Sequence, residues 1–265
     1  MADWRLGTMG FGYDDWSGPF YPPGLKSTER LAFYAQHFNA VELDTTFHAA
    51  PDIGRVRKWA AAVPEDFRFC VKTPRLITHD SPLDAPATLA EMRSFLDVVR
   101  GGMREKLGAV LVQFAPSFSF DSFDKLDAFL ASLPGDVRVA VELRNGTWGK
   151  QVTLDLLREH RACLVNAEYL TRPRRLYRTA DSFYVRWIGE HGKFPRHDSE
   201  REDRTHALQW WRDALRSIEP KLDTIHGFFN NDYAGYGVGT CNRFKEMLGL
   251  EVSRSPGERP GELFS

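Results

Sequence analysis

Cysteine is scarce in this chain. Only Cys70, Cys163 and Cys241 occur among 265 residues, an odd number, with no C-x-x-C pair and no metal-ligand spacing. That argues against a disulfide framework and fits a reducing cytoplasm. Cys70 and Cys163 fall in apolar, strand-like runs, where a cysteine packs as a small hydrophobe. Net charge is equally scarce: 35 basic against 36 acidic side chains leave −1, so no global field draws the chain to nucleic acid or to an anionic membrane. Only a local patch would do that. No apolar run approaches the length of a membrane span, and the N-terminus lacks the basic-then-apolar pattern of a secretion signal. No fixed-period repeat or low-complexity tract suggests a second domain.

What is present suits a barrel. A chain of this length with 42% hydrophobic and 13% aromatic residues can bury one large α/β core. Eight strand-like runs stand out: Arg5–Met9, Ala40–Asp44, Arg68–Lys72, Ala109–Gln113, Val137–Arg144, Ala162–Asn166, Phe183–Ile188 and Ile225–Asn230. Helical spacing relates Leu89, Met92, Leu96, Val99 and Met103, and likewise Leu208, Trp211, Leu215 and Ile218. Phe123, Leu126, Leu130 and Leu133 form another helical stripe, stopped by Pro134-Gly135. A further helix opens at Pro51 or Asp52, carries Ile53, Val56 and Ala60, and ends before Pro64. Eight strand–helix alternations predict a single TIM-type (β/α)8 barrel of parallel strands over residues 1–252, with an irregular tail over 253–265. An open doubly wound sheet competes, but it would carry a glycine-rich phosphate turn after the first strand, and none is there.

Two segments are near copies: Ala40-Val41-Glu42-Leu43-Asp44 and Ala140-Val141-Glu142-Leu143-Arg144. In each, alternation sends the valine and leucine to one face and the glutamate to the other. A charged side chain on the inner face of a buried strand is costly unless it is paired, hydrogen-bonded or at work. Barrel active sites lie at the carboxyl ends of the strands. The strand ends here offer Thr8, Glu42 with Asp44, Lys72, Gln113, Glu142 with Arg144, Asn166, Arg186 and Asn230. Glu42 and Glu142 are the candidate catalytic pair, dividing acid and base roles if their surroundings push their pKa values apart. A carboxyl separation of about 5–9 Å is expected across such a barrel, which covers both glycosidase geometries. Lys72, Arg144 and Arg186 would hold an anionic group or stabilise developing negative charge, or would simply neutralise the glutamates.

Other features carry less. His48, His79, His191 and His197 lie near the strand ends without a compact ligand motif, so neither a metal nor a cofactor is called for. His37, His160 and His206 read as surface positions on helices. The charged stretch Gly189–Arg204 reads either as a mobile loop over the mouth or as a solvated linker. Arg172-Pro173-Arg174-Arg175 reads either as a phosphate grip or as a solvated loop.

The segment from Gly7 to Pro22, GTMGFGYDDWSGPFYP, is unusually rich in glycine and aromatics. With Thr45-Thr46-Phe47, Phe69-Cys70-Val71-Lys72, Ile77-Thr78-His79, Lys106-Leu107-Gly108, Leu111–Pro116, Val141–Arg144 with Trp148, Tyr184-Val185-Arg186 and Phe229-Asn230-Asn231, it resembles the YecE-like family, the domain of unknown function numbered seventy-two. The resemblance runs from about residue 5 to 248. It implies a TIM-type barrel and no established activity. Glu42, Lys72, His79, Gln113, Glu142, Arg144, Arg186 and Asn230 match the family pattern. His48, Asn145 and Ile188 depart from it, standing where the family usually has tyrosine, histidine and histidine. In the opening segment, Phe11, Tyr13, Trp16, Phe20 and Tyr21 either stack on a ligand or plug the loop onto the rim.

The sequence therefore points first to an enzyme using acid–base chemistry on a small polar, anionic or sugar-like molecule. Glu42 and Glu142 would handle protons, with Thr8, Tyr13, Trp16, Lys72, His79, Gln113, Arg144, Arg186 and Asn230 around the substrate. A nucleic-acid-processing enzyme gripping phosphates through Arg172–Arg178 is a second reading, and a non-catalytic metabolite-binding or scaffold protein a third. Oligomeric state is not legible.

Overall fold

A computed structural model describes residues 2–169 and 174–254. Eight strands form one all-parallel sheet: β1 (Asp3–Thr8), β2 (Ala40–Leu43), β3 (Arg68–Lys72), β4 (Leu107–Gln113), β5 (Val139–Glu142), β6 (Cys163–Glu168), β7 (Ser182–Trp187) and β8 (Thr224–Phe229). Their order is β1-β8-β7-β6-β5-β4-β3-β2, the succession of a barrel opened at one seam. The described α-helices are α1 (Arg30–Tyr34), α2 (Thr45–His48), α3 (Ile53–Ala61), α4 (Pro86–Met103), α5 (Phe123–Ala131), α6 (Gln151–Glu159), α7 (Thr205–Ile218) and α8 (Gly237–Met247). The four helices expected from spacing or capping signals are present as α3, α4, α5 and α7. Asp52 caps α3, its carboxylate accepting from Arg55 N.

Only β3 matches its expected range at both ends; the other seven strands shift by one or two residues, as β5 and β6 illustrate. β5 begins at Val139 because Val137 N turns back to Pro134 O at 3.2 Å, so the proline–glycine turn consumes the first residues of that run. β6 runs on to Glu168, two residues beyond Asn166.

The seam between β1 and β2 is closed by a single parallel bridge, Met9 to Glu42, with Gly10 N donating to Glu42 O at 2.8 Å. Below it a side chain stands in for the missing rung. The Tyr34 hydroxyl accepts from Thr8 N at 2.8 Å and donates to Ala40 O at 3.1 Å. Gly7 makes this approach possible: a Cβ there would sit 1.9 Å from Ala40 O.

Two apolar layers follow from strand alternation. Outward residues such as Leu6, Val41, Leu43, Val71, Val112, Val141 and Val185 pack against the helices. Inward residues Ala40, Cys70, Ala109, Ala140 and Cys163 are small, and the larger Tyr184 and Phe228 occupy the interior beside them. All three cysteines are buried. The small inward residues leave depth in the barrel, and Tyr184, rooted there, reaches up to the charged layer above.

Candidate functional site

The charged layer lies at the carboxyl ends of the strands. Glu42, Glu142 and Arg186, at the ends of β2, β5 and β7, are all buried. The guanidinium of Arg186 bridges the two carboxylates. Its Nε and Nη2 donate to Glu42 Oε2 and Oε1 at 3.0 and 2.7 Å, and its Nη1 donates to Glu142 Oε2 at 2.6 Å. Each glutamate also accepts from a tyrosine: Tyr184 to Glu42 Oε2 at 2.7 Å, and Tyr169 to Glu142 Oε1 at 2.5 Å. This pairing is what lets three ionisable groups stay buried together.

The two carboxyls nonetheless differ. Burial pushes Glu42 up to about 7; Arg186 pulls against that, and the neighbouring Asp44 charge adds to the rise. Glu142 is as deeply buried, but attraction to Arg186 and hydrogen bonds from Tyr169, Arg186 and the Gln113 side chain outweigh burial and hold it below its ordinary value. Asp44 Oδ1 lies 4.0 Å from Arg186 Nη2 without a hydrogen bond.

Of the remaining candidates, Gln113 is buried and lies in register with Glu142. Arg144 Nε stands 3.9 Å from Glu142 Oε1, with its guanidinium 5.9 Å from the Tyr169 ring and partly open to solvent. Lys72 Nζ rests 3.8 Å from the centroid of the Phe47 ring, which also meets the His79 ring edge-on at 5.0 Å. Burial, with the Lys72 charge, lowers His79, whose Nδ1 bonds the Thr78 hydroxyl at 2.7 Å. Tyr13 donates to Met9 O at 2.6 Å, and the nearby Asp44 and Glu42 charges add to burial in raising its pKa. Glu42, Glu142, Arg186, Gln113, Arg144, Lys72, His79 and Tyr13 thus lie at the carboxyl end of the strands.

Thr8, Trp16 and Asn230 are not brought to this cluster. Thr8 alternates outward with Leu6, and its hydroxyl is committed to Gly10 O and Tyr34. Trp16 is fully buried against Tyr13, Phe20, Tyr21 and Tyr236. The Asn230 side-chain oxygen accepts from Asp232 N, capping the turn after β8. Most of the opening aromatics are therefore packing, and only Phe11 and Tyr13 keep part of their surface.

The stretch Gly189–Arg204 is tied down. His197 N donates to Asp15 Oδ2 at 2.9 Å, its Nε2 meets Asp232 Oδ1 at 3.0 Å, and Arg204 Nε donates to Tyr233 O at 2.9 Å. Arg172 and Pro173 of the basic loop lie outside the described residues. Arg174 is bound to the buried Glu168 at 2.8 Å, and the exposed Arg175 donates to the Tyr177 hydroxyl at 3.1 Å. A separate cavity of about 730 Å³, lined by Arg68, Arg104 and Arg138 among others, opens at the opposite end of the strands. Among the described residues, no three His, Cys, Asp or Glu side chains converge as metal ligands, and no helix is long and apolar enough to cross a membrane.

Sequence reasoning overlooked two tyrosines. Tyr184 was within reach, since it sits two residues before Arg186 and shares its face. Tyr169 lies beyond the end of β6, and nothing in a strand pattern tells where a loop residue returns.

A parallel eight-stranded barrel with a charged cluster at its carboxyl end defines a TIM-type barrel protein. The chain belongs to the family described as "Protein of unknown function DUF72", whose profile matches residues 5–262. It is similar to the UPF0759 protein YunF of Bacillus subtilis, 26% identical over 280 residues that cover 94% of this chain and 95% of YunF. It is also similar to the UPF0759 protein YecE of Escherichia coli, 34% identical over 135 residues; that match spans 51% of this chain and about half, 47%, of YecE. A solved DUF72 family structure from Thermotoga maritima superposes with a TM-score of 0.81 at 27% identity, covering 93% of this chain and 99% of that one. A second, from Enterococcus faecalis, gives 0.75 at 22% identity over 98% of this chain and 100% of that one, and speaks for the fold alone. None of these descriptions names an activity.

Proposed function

We propose that the protein is an enzyme that moves a proton on a small polar, anionic substrate held at the carboxyl end of the barrel. The observation that carries this reading is the division between the two glutamates. Glu42, pushed up to about 7, can give and take a proton near neutrality, whereas Glu142 stays ionised. Arg144, partly exposed beside Glu142, would meet the substrate's anionic group. Two-carboxylate glycoside hydrolysis is less well supported, because the Arg186 guanidinium fills the space between the carboxyls where a glycosidic oxygen or a water would stand. Proton transfer of the isomerase or lyase kind needs no such gap.

A thermal-shift screen of carboxylate and phosphate metabolites would supply a ligand, and deuterium incorporation into that ligand in D₂O would report proton transfer. The expected result is a hit that binds the parent and Glu42→Gln alike, weakens on Arg144→Ala, and exchanges deuterium only with Glu42 intact. Binding without any exchange or turnover, unaltered by Glu42→Gln, would favour the scaffold reading instead.

A further inference from the structure

We infer that Lys72 is an amine nucleophile that captures a small aldehyde or ketone bearing an anionic group as a Schiff base. The inference rests on the proposed function and names the substrate class of that same site.

The two other cations of the layer, Arg186 and Arg144, each have a carboxylate oxygen within 4.0 Å. Lys72 has no such partner among the described residues, and its Nζ faces the Phe47 ring instead. A structural lysine in this protein is built differently: Lys106 Nζ donates to Ala60 O at 2.7 Å and to Val63 O at 2.8 Å. Lys72 ends β3 pointing inward, half-buried, at the mouth where a substrate would enter. Burial lowers its pKa, and the nearby Arg186 charge acts the same way against the attraction of Asp44, Glu42 and Glu142. The local charges also balance without it. With Glu42 protonated, Glu142 and Asp44 are offset by Arg186 and Arg144, so a neutral amine leaves no carboxylate uncompensated.

In the capture step the Nζ lone pair attacks the carbonyl carbon, forming the C–N bond as the C–O π electrons move to oxygen. Glu42 protonates that oxygen and takes a proton from the nitrogen, leaving a neutral carbinolamine. It then returns the proton to the hydroxyl, which leaves as water while the nitrogen lone pair forms the C=N bond. Amine, carbonyl and the Glu42 proton become iminium, water and the Glu42 carboxylate, with no oxidant or reductant. The iminium acidifies the adjacent C–H, and the ionised Glu42 would be the base that removes that proton.

The test is reductive trapping. Glyoxylate, pyruvate and glycolaldehyde phosphate are each incubated with the protein and sodium cyanoborohydride near pH 7, and modified lysines are located by peptide mass spectrometry. Lys150 is the internal control, because its Nζ also lies over a ring, Phe120 at 3.5 Å, but it is exposed. The expected result is an adduct forming at Lys72 severalfold faster than at Lys150 with at least one carbonyl compound, and lost in Lys72→Arg, which keeps a long polar side chain but has no nucleophilic amine. Lys72 labelled no faster than Lys150 by all three would overturn the inference. If Glu42-dependent deuterium exchange were seen alongside that failure, the proposed function would stand and the Schiff base alone would fall.

Discussion

Glu42 and Glu142 grip different nitrogens of one guanidinium, Glu142 through Arg186 Nη1 at 2.6 Å and Glu42 through Nη2 at 2.7 Å and Nε at 3.0 Å. Neither carboxylate would tolerate its depth in the barrel without that shared partner. The arginine is therefore the keystone of the layer, and its removal is the sharpest perturbation available.

Arg186→Met is expected to cost about 3–5 kcal/mol of stability near neutral pH, the usual penalty for stranding a buried charge. The stranded carboxyls would take up protons, so the loss should shrink as the pH falls towards 5. Adding Glu142→Gln should recover part of it. Denaturant unfolding of the single and double variants at two pH values measures this, and additive losses without pH dependence would contradict it.

Lys72 behaves in the opposite way. A buried lysine paired to a glutamate would, on Lys72→Met, leave an uncompensated carboxylate and destabilise the fold. With no carboxylate within 4.0 Å among the described residues and Nζ against the Phe47 ring, the substitution is expected to leave stability unchanged or raise it. A thermal melt decides the matter, and a loss comparable to that of Arg186→Met would show a hidden ion pair.

Closure of the barrel can be probed at its seam. Tyr34→Phe removes the hydroxyl that links Thr8 N to Ala40 O, leaving both buried groups unsatisfied, and should cost about 1–3 kcal/mol. Gly7→Ala should be worse, because its Cβ would collide with Ala40 O and part β1 from β2. Hydrogen exchange at the amides of β1 and β2 would report the opening. Wild-type protection in both variants would mean that the Met9–Glu42 bridge and the bonds of the Asn39 side chain to Leu6 N and Trp4 O suffice.

The architecture was largely legible before the structure. Apolar strand runs and 3.6-residue stripes are set by local geometry, and both the strand count and the helices at Ile53–Ala61 and Pro86–Met103 follow from them. So does the inward set Glu42, Lys72, Gln113, Glu142 and Arg186, because alternation along a strand fixes which side chains share a face. Thr8 shows where that reasoning slips: it ends a strand but has the outward parity of Leu6. Trp16 and Tyr169 show where it stops. Their positions depend on loop paths determined by tertiary packing. Pairing was likewise beyond the sequence, since Lys72 and Arg186 look equivalent at two strand ends, yet only Arg186 reaches the glutamates.

The Glu42 carboxyl also makes a prediction for stability against pH. Its folded pKa, about 7, lies above its ordinary 4.5, so the folded state holds the proton more tightly than the unfolded chain. The resulting stabilisation is full below about 4.5 and is lost as the pH rises through about 7. Glu42→Gln cannot lose a proton, so the parent's decline in melting temperature between pH 5 and 8 should be flatter in the variant. An unchanged slope would place that decline on another group.

The most direct measurement is a carboxyl titration by carbon NMR on protein labelled at the glutamate side-chain carboxyls, with Glu42→Gln and Glu142→Gln for assignment. The account predicts one buried carboxyl titrating near pH 7 that disappears in Glu42→Gln, and another, missing only in Glu142→Gln, that stays ionised throughout the neutral range. Two carboxyls titrating together in the ordinary acid range would contradict the division of roles, as would a neutral-range titration that survives Glu42→Gln.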